Sequence, residues 1–498
     1  MPPGFGGGSV ERLSMAGVSL IRIPVPLVLA VVATLAVPPA PASADGPLAE
    51  VAVALSGTDS ADCGASTGPC RTVAHAVGRV TSGGTVRIGP GWYDENVTIP
   101  WGLSVSLIGA GMDTTILNGS QRDMVINSWQ GDALHVAELS IVNGVGGGDR
   151  DGGGITSIGP LTVRQVRLWH NAGGSGGGIA AFATARVSES IIAGNTARSD
   201  GGGIFSSLFG LIVEKSTVAG NRAAVSGGGV YALFSATQIA DSTITGNAAG
   251  THASGIFVVH SGLRLRHATV ADNQGPAALM TFGDPHQSAH ITASLFTGNA
   301  GGDCTLAHSP VIDMADQNVS ADGSCGRRVA AADVDLRPLA EPDTGTTPTH
   351  PLGLASTIRG SIPAGDPLCD GTDQHGQTRR SFLAGGCDPG AYQSAPVPFN
   401  AIPPQLSGLD SPIDPYLAVG TATAGTWPFQ RNLRYAFQWE RCDHAEPVCA
   451  PIPGATSRTY RVTDTDAGSR LRVRVTATSA AGISQPAYSA FTVPIGYG

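Results

Sequence analysis

The chain is almost without lysine. Lys215 is the only one, and every other basic residue is arginine. With 38 acidic residues against 29 basic ones, the formal charge is −9 and the pI about 5.7. That balance argues against a nucleic-acid partner. Long apolar runs are also missing. After residue 44, no stretch approaches the roughly 18 apolar residues of a membrane-spanning helix, so the mature chain is expected to have no transmembrane segment. The chain has eight cysteines but no CxxC pair, which argues against zinc held by thiolates.

What the chain does have is glycine, 69 residues of it, and much of it is periodic. From Leu161 to Ala300, Asn171, Asn195, Asn221, Asn247, Asn273 and Asn299 recur at spacings of 24, 26, 26, 26 and 26. Most follow a glycine. Between them falls a second beat: Gly176-Gly177-Gly178, Gly201-Gly202-Gly203, Gly227-Gly228-Gly229 and the weaker Ala253-Ser254-Gly255. A fixed period of this length marks a solenoid whose units bury their apolar faces only by stacking. Val187 and Ile192, Val213 and Val218, and Ile239 and Ile244 are the apolar positions in phase. Helical units would need runs of roughly 10–12 residues at a 3.6 period. These runs are shorter, β-branched and broken by glycine, so they read as strands. The asparagines are expected to form a hydrogen-bonded ladder, extended backwards by Asn118 and Asn143. The column Ser190, Ser216, Ser242, Ala268, Ser294 fits a tight corner.

The fold class is therefore all-β: a parallel β-helix followed by a small antiparallel β-sandwich. Residues 1–44 read as a secretory signal peptide, with an apolar core at Pro24–Val37 and a small-residue cleavage site at Ala42-Ser43-Ala44. Residues 45–394 hold the β-helix and its cap, in which Arg71–Val80 is predicted to be a short helix with Val73, Val77 and Val80 on one side. Residues 395–404 are a proline-rich linker, and 405–498 the sandwich, where Tyr435, Phe437 and Trp439 alternate with polar residues, as do Leu471, Val473 and Val475. The cysteines fall as close neighbours: Cys63 with Cys70, Cys304 with Cys325, Cys369 with Cys387 and Cys442 with Cys449. Local pairing is the simplest of the connectivities open to eight cysteines in an exported chain.

Three stretches resemble known families. The GGGI and GN beats look like those of right-handed β-helix proteins, polymorphic outer-membrane proteins among them. Thr372-Asp-Gln-His-Gly-Gln-Thr-Arg-Arg380 and Cys387-Asp-Pro-Gly-Ala-Tyr392, preceded by Asp335-Leu-Arg-Pro-Leu-Ala340 and His350-Pro-Leu352, resemble the choice-of-anchor Q domain. That resemblance implies an exported or surface-displayed solenoid. No LPxTG-like sorting signal or terminal hydrophobic tail follows, which departs from it. Trp439-Glu-Arg-Cys442, Ile452-Pro-Gly-Ala-Thr456 and Leu471-Arg-Val-Arg-Val-Thr-Ala477 resemble immunoglobulin-like modules of actinobacterial exported proteins. The resemblance implies a spacer or binder.

Three places could carry chemistry. Glu189, Lys215, Asp241 and His267 form a column at the repeat phase. They read either as a base flanked by acids or as an ion-pair ladder on a solvated face. His260, Arg264, Arg266, His286 and His290, with Asp284 nearby, form a candidate ligand-binding patch for an acidic glycan. Asp149-Arg150-Asp151, in the loop Gly146–Gly154, is a candidate calcium turn; no other cofactor is implied. Asn96-Val-Thr98 and Asn318-Val-Ser320 match glycosylation sequons. The expected role is recognition or adhesion at the cell surface or outside the cell, with a polysaccharide or a surface protein as partner. The alternatives are a polysaccharide lyase or hydrolase, and a structural stalk.

Overall fold

The computed structural model describes residues 47–498, apart from 130, 150, 284–286, 308–310, 315–316, 342–346, 380–385, 395–397, 399, 410–417, 428–432, 444–448, 480–481 and 497–498; of 307 and 311–314 it describes the backbone alone. The expected signal peptide thus lies outside the described residues, as do His286, Asp284, Arg150 and the first part of the linker.

The repeat builds a parallel β-solenoid of about eight coils. One coil shows how. Strand Ala185–Ser188 runs to a corner at Glu189-Ser190, and strand Ile191–Ala193 ends at Gly194-Asn195. The two-residue strand Thr196–Ala197 leads into the glycine triplet, and Ile204–Ser207 brings the chain round. Each pairs in parallel with the next coil: Val187 with Val213, Ile192 with Val218, Thr196 with Arg222, Ile204 with Val230. Inward-facing Val187, Ile192, Val213, Val218, Ile204 and Val230 are fully buried in one continuous core. Each such side chain is worth about 1.5–3 kcal/mol in apolar burial.

The asparagine ladder satisfies a polar column inside that core. The Asn195 amide donates to Asn221 Oδ1 at 3.0 Å and to the Leu168 carbonyl of the preceding coil, while its own Oδ1 accepts from the Asn171 backbone and amide. The pattern repeats through Asn221, Asn247 and Asn273 to Asn299. The backward extension differs from expectation. Val142 pairs with Trp169, which aligns Asn143 with His170 and puts Gly144 in the ladder position. Gly144 N accordingly donates to Asn171 Oδ1, whereas Asn143 occupies the left-handed position at φ 55° and hydrogen-bonds back to Asn118.

The glycine triplets are steric. A Cβ on Gly202 would lie 2.4 Å from the Gly228 carbonyl oxygen of the next coil.

The N-terminal cap helix is Val73–Val77, shorter than predicted. Val80, in phase for a third helical turn, instead opens strand Val80–Ile88. The helix start is held by two side chains: Thr72 accepts from His75 N, and the Glu95 carboxylate accepts from Val73 N and Ala74 N at 3.0 and 2.9 Å. Val73 and Val77 are buried in the solenoid core. All four disulfides pair near neighbours as expected, at sequence separations of 7, 21, 18 and 7.

C-terminal to the solenoid, two small antiparallel sheets share a second core with Trp439, Leu471, Val473, Val475 and Val462, an arrangement compatible with the predicted sandwich. Trp439 is fully buried, and its indole donates to the Ser457 carbonyl. Among the described residues, no helix is long and apolar enough to cross a membrane.

Candidate functional site

The charged column sits at a backbone corner. Glu138, Gln165, Glu189, Lys215, Asp241, His267 and Ala293 all have φ between 46° and 57°. This left-handed conformation costs roughly 1–2 kcal/mol for a residue with a Cβ. At Glu189, Lys215, Asp241 and Ala293 the serine that follows stabilises the corner. Ser190, Ser216 and Ser242 are buried, and each hydroxyl donates to the carbonyl two residues back. The same hydroxyls accept from the preceding coil, from Ser190 N to Ser216 Oγ and from Ser216 N to Ser242 Oγ. The serine column thus builds the predicted tight corner.

The column itself differs from both expectations. A segment of the chain from Thr347 to Ser394, here called the strap, supplies partners to three of its four members. Lys215 Nζ donates to Thr372 Oγ1 at 2.7 Å. Asp241 accepts from Arg379 Nη2 at 2.8 Å, and the Arg379 side chain is fully buried. His267 is buried with Nε2 2.6 Å from the Leu368 carbonyl. Glu189, half-buried like Lys215 and Asp241, is bonded to Gln165 at 2.7 Å and lies 3.8 Å from Arg164. The contacts run outward to the strap because the left-handed corner aims successive side chains away from the coil.

Next to the corner, the outward threonines Thr217, Thr243 and Thr269 are buried beneath the same strap. Gln374 reads this ladder. Its Oε1 accepts from Thr243, and its Nε2 donates to Thr217 Oγ1, Thr347 Oγ1 and the Pro348 carbonyl. Thr217 donates to the Pro348 carbonyl, Thr245 meets His350 Nε2, and Thr269 Oγ1 accepts from Ala391 N. The residues that stood out in sequence as D-Q-x-G-x-x-R and C-D-x-G-A-Y are therefore the strap's docking set. Asp373 closes its loop by accepting from His375, Gln377 and Gln393 backbone amides. Asp388 does the same for Gly360 and Ser394. Burial raises both carboxyls above their ordinary range, the backbone donors opposing it. Gly390, at φ +95°, lets the strap approach within 2.7 Å of Thr269 Oγ1, measured from where a Cβ would stand.

The His/Arg patch divides. Arg264 and His290 are register partners on the outer face of adjacent strands. Arg266 turns to the strap and donates to the Asp370 carbonyl. His260 lies on another edge, at a second left-handed corner with Leu208 and Phe234. There its ring stacks on Phe234 at 5.1 Å and meets Phe282 edge-on at 5.9 Å. Sequence reasoning missed this edge, where Leu208, Phe209, Phe234 and Phe282 are 46–62% exposed. The signal was present: Leu208 and Phe234 are 26 apart, and His260 follows at the same phase. On the sheet beside it, Phe205, Tyr231 and Phe257 form a second ring column with centroids 5.5 Å apart. Burial, aided by Asp200, pushes the Tyr231 hydroxyl up to about 12.

The loop that holds the candidate calcium turn makes its own contacts. Arg198 donates to the carbonyls of Gly146, Gly147 and Gly148, each at 3.1 Å, and Asp151 accepts from Gly148 N and the Trp129 indole. Near the cap, Asp59, Cys63, Cys70 and His75 cluster with ligand-like spacing, but the two sulfurs form a disulfide and are not thiolates. Both sequon asparagines are structural: Asn96 donates to the Asp123 and Met124 carbonyls, and Asn318 is buried with its amide on the Ile291 carbonyl.

No protein-family model matches the chain, and no curated protein matches it.

Proposed function

We propose that this is an exported recognition protein whose solenoid binds an extended polymer, a glycan in the first instance, without chemically changing it. In this reading the first 44 residues direct export, the solenoid with its strap is of the choice-of-anchor Q kind, and the C-terminal sheets are an immunoglobulin-like accessory module. One observation carries the preference for binding over catalysis. The groups best placed for acid–base work, Lys215, Asp241 and His267, are each engaged by the strap. A lyase or hydrolase acting there would need a base or a carboxylate pair open to substrate. The exposed edge Leu208, Phe209, Phe234, His260 and Phe282 offers apolar contact repeated from coil to coil, which suits a polymer lying along the solenoid. Arg264 and His290, on the neighbouring face, would favour acidic sugars.

The test is a pull-down and calorimetry series on the chain from Asp45 onward. Cellulose, chitin, xylan and polygalacturonate are the probes, and product release is followed in the same samples. Saturable binding without products, weakened at least tenfold in Phe209→Ala/Phe234→Ala, is the expected result. Products that disappear in Lys215→Ala would replace this reading with an enzyme. Absence of binding to every probe would leave a stalk.

A further inference from the structure

The strap is docked across four successive coils, at Lys215, Asp241, His267 and Ala293, where Gly390 N donates to the Ala293 carbonyl. One of these contacts is disfavoured by a second proton. Nε2 of His267 carries the hydrogen that meets the Leu368 carbonyl, and Nδ1 is buried with no hydrogen-bond partner. The charged groups around the ring come from each element packed on it. Arg379 reaches in from the strap, paired to Asp241 one coil back, and Arg266 lies on the histidine's own coil. The corner one coil ahead is the uncharged Ala293. The strap's buried carboxyls, Asp373 and Asp388, are committed to backbone amides. An imidazolium here would be a buried cation beside two guanidiniums.

We propose that the strap is an acid-sensitive latch: as pH falls, the docked segment gives way to an undocked state in which His267 is protonated, and the threonine ladder Thr217, Thr243, Thr269 is bared.

Burial first, then Arg379, with Arg266 adding a little, lowers the docked imidazole from 6.5 to about 3; the Leu368 and Gly390 carbonyls oppose this without reversing it. Once undocked, the ring titrates near its ordinary value of about 6.5. Between those two values the undocked state binds the extra proton, so docking is strongest above the upper value and weakens as pH drops. One proton makes the opening equilibrium rise by up to about tenfold per pH unit. Asp373 and Asp388 act with the opposite sign, because their docked forms hold protons more tightly than ordinary carboxyls do. His267→Gln leaves both carboxyls in place, so the difference between its profile and that of the unmodified chain reads the histidine.

The experiment is hydrogen exchange on the full mature chain at pH 7, 6 and 5, with rates corrected for intrinsic exchange. The Gly390 and Ala391 amides, bonded to Ala293 and Thr269, report the strap, and the Asn221 and Asn247 amides report the solenoid. The expected result is strap protection that falls close to tenfold between pH 6 and 5 while the ladder amides hold, and a flat profile in His267→Gln. Strap protection that stays constant from pH 7 to 5 in the unmodified chain overturns the latch, whether or not the variant folds. So does a His267→Gln strap that opens with the same pH dependence. If strap and ladder amides lose protection together, the transition is global unfolding and the latch is wrong.

Discussion

Arg379 and Asp241 are 138 residues apart in sequence, yet the guanidinium donates to Asp241 Oδ1 through both Nε and Nη2, at 3.2 and 2.8 Å. The arginine side chain is fully buried and the aspartate nearly so. Removing one partner strands the other charge under the strap. Arg379→Met should therefore destabilise the chain by about 3–5 kcal/mol, seen as earlier urea unfolding and faster proteolysis within the strap. Arg379→Met/Asp241→Asn should recover a good part of the loss. A double variant no better than the single one would mean that the pair is incidental.

The asparagine ladder predicts a gradient along the solenoid. Asn221→Ala removes the acceptor of both Asn195 donors in a fully buried column, which should cost about 2–6 kcal/mol. Asn299→Ala orphans the equivalent groups at a part-buried end, where solvent can replace them, and should cost less than half as much. Equal losses in denaturant titrations would show that the ladder contributes nothing beyond its local turns.

Two glycines separate crowding from backbone strain. Gly220 has φ +61° with open space around its Cβ position, so Gly220→Ala should cost about 1–2 kcal/mol. Gly202→Ala pushes a methyl against the carbonyl of the next coil and should cost about 3 kcal/mol, at the upper end for overpacking. Thermal melts of the two variants, ranked the other way, would refute the steric account of the triplets.

Because Arg198 already fills the three carbonyls of the Gly146–Gly148 turn, calcium should not shift the melting temperature of the intact protein, and chelator should not lower it. Arg198→Ala should destabilise the turn by about 1–3 kcal/mol. A calcium-dependent rise in the melting temperature of the unmodified chain would show that the cation displaces the guanidinium.

Much of the fold could be read because the coil is written out repeatedly in the sequence. Asn195, Asn221 and Asn247 announce the ladder, Ser190, Ser216 and Ser242 the corner, and the close cysteine pairs their own partners. Errors arose where a second principle used the same letters. Val73, Val77 and Val80 keep helical spacing, but Gly78 and the pairing of the next strand end the helix at Val77. Asn143 lies 25 residues after Asn118, yet the register assigns the ladder place to Gly144. The candidate site was the least legible part. Lys215 meets Thr372 and Asp241 meets Arg379 across more than 130 residues, and such contacts leave no period behind. The available clue was chemical: Thr217, Thr243 and Thr269 form an outward column that needs covering, and Asp373, Gln374 and Arg379 form a polar cluster that needs a host.

The strap also changes what kind of cooperative object the solenoid is. A stack of coils held only by neighbours unravels from its ends, one unit at a time, with energies that add along a line. A segment that grips four consecutive coils from outside binds them into one block, so none can fray unless all release it. Because that segment is encoded after the coils it grips, synthesis completes the stack before it can be fastened. A chain shortened before Thr347 should keep its repeat but lose those four coils in stages, where in the whole protein they melt together.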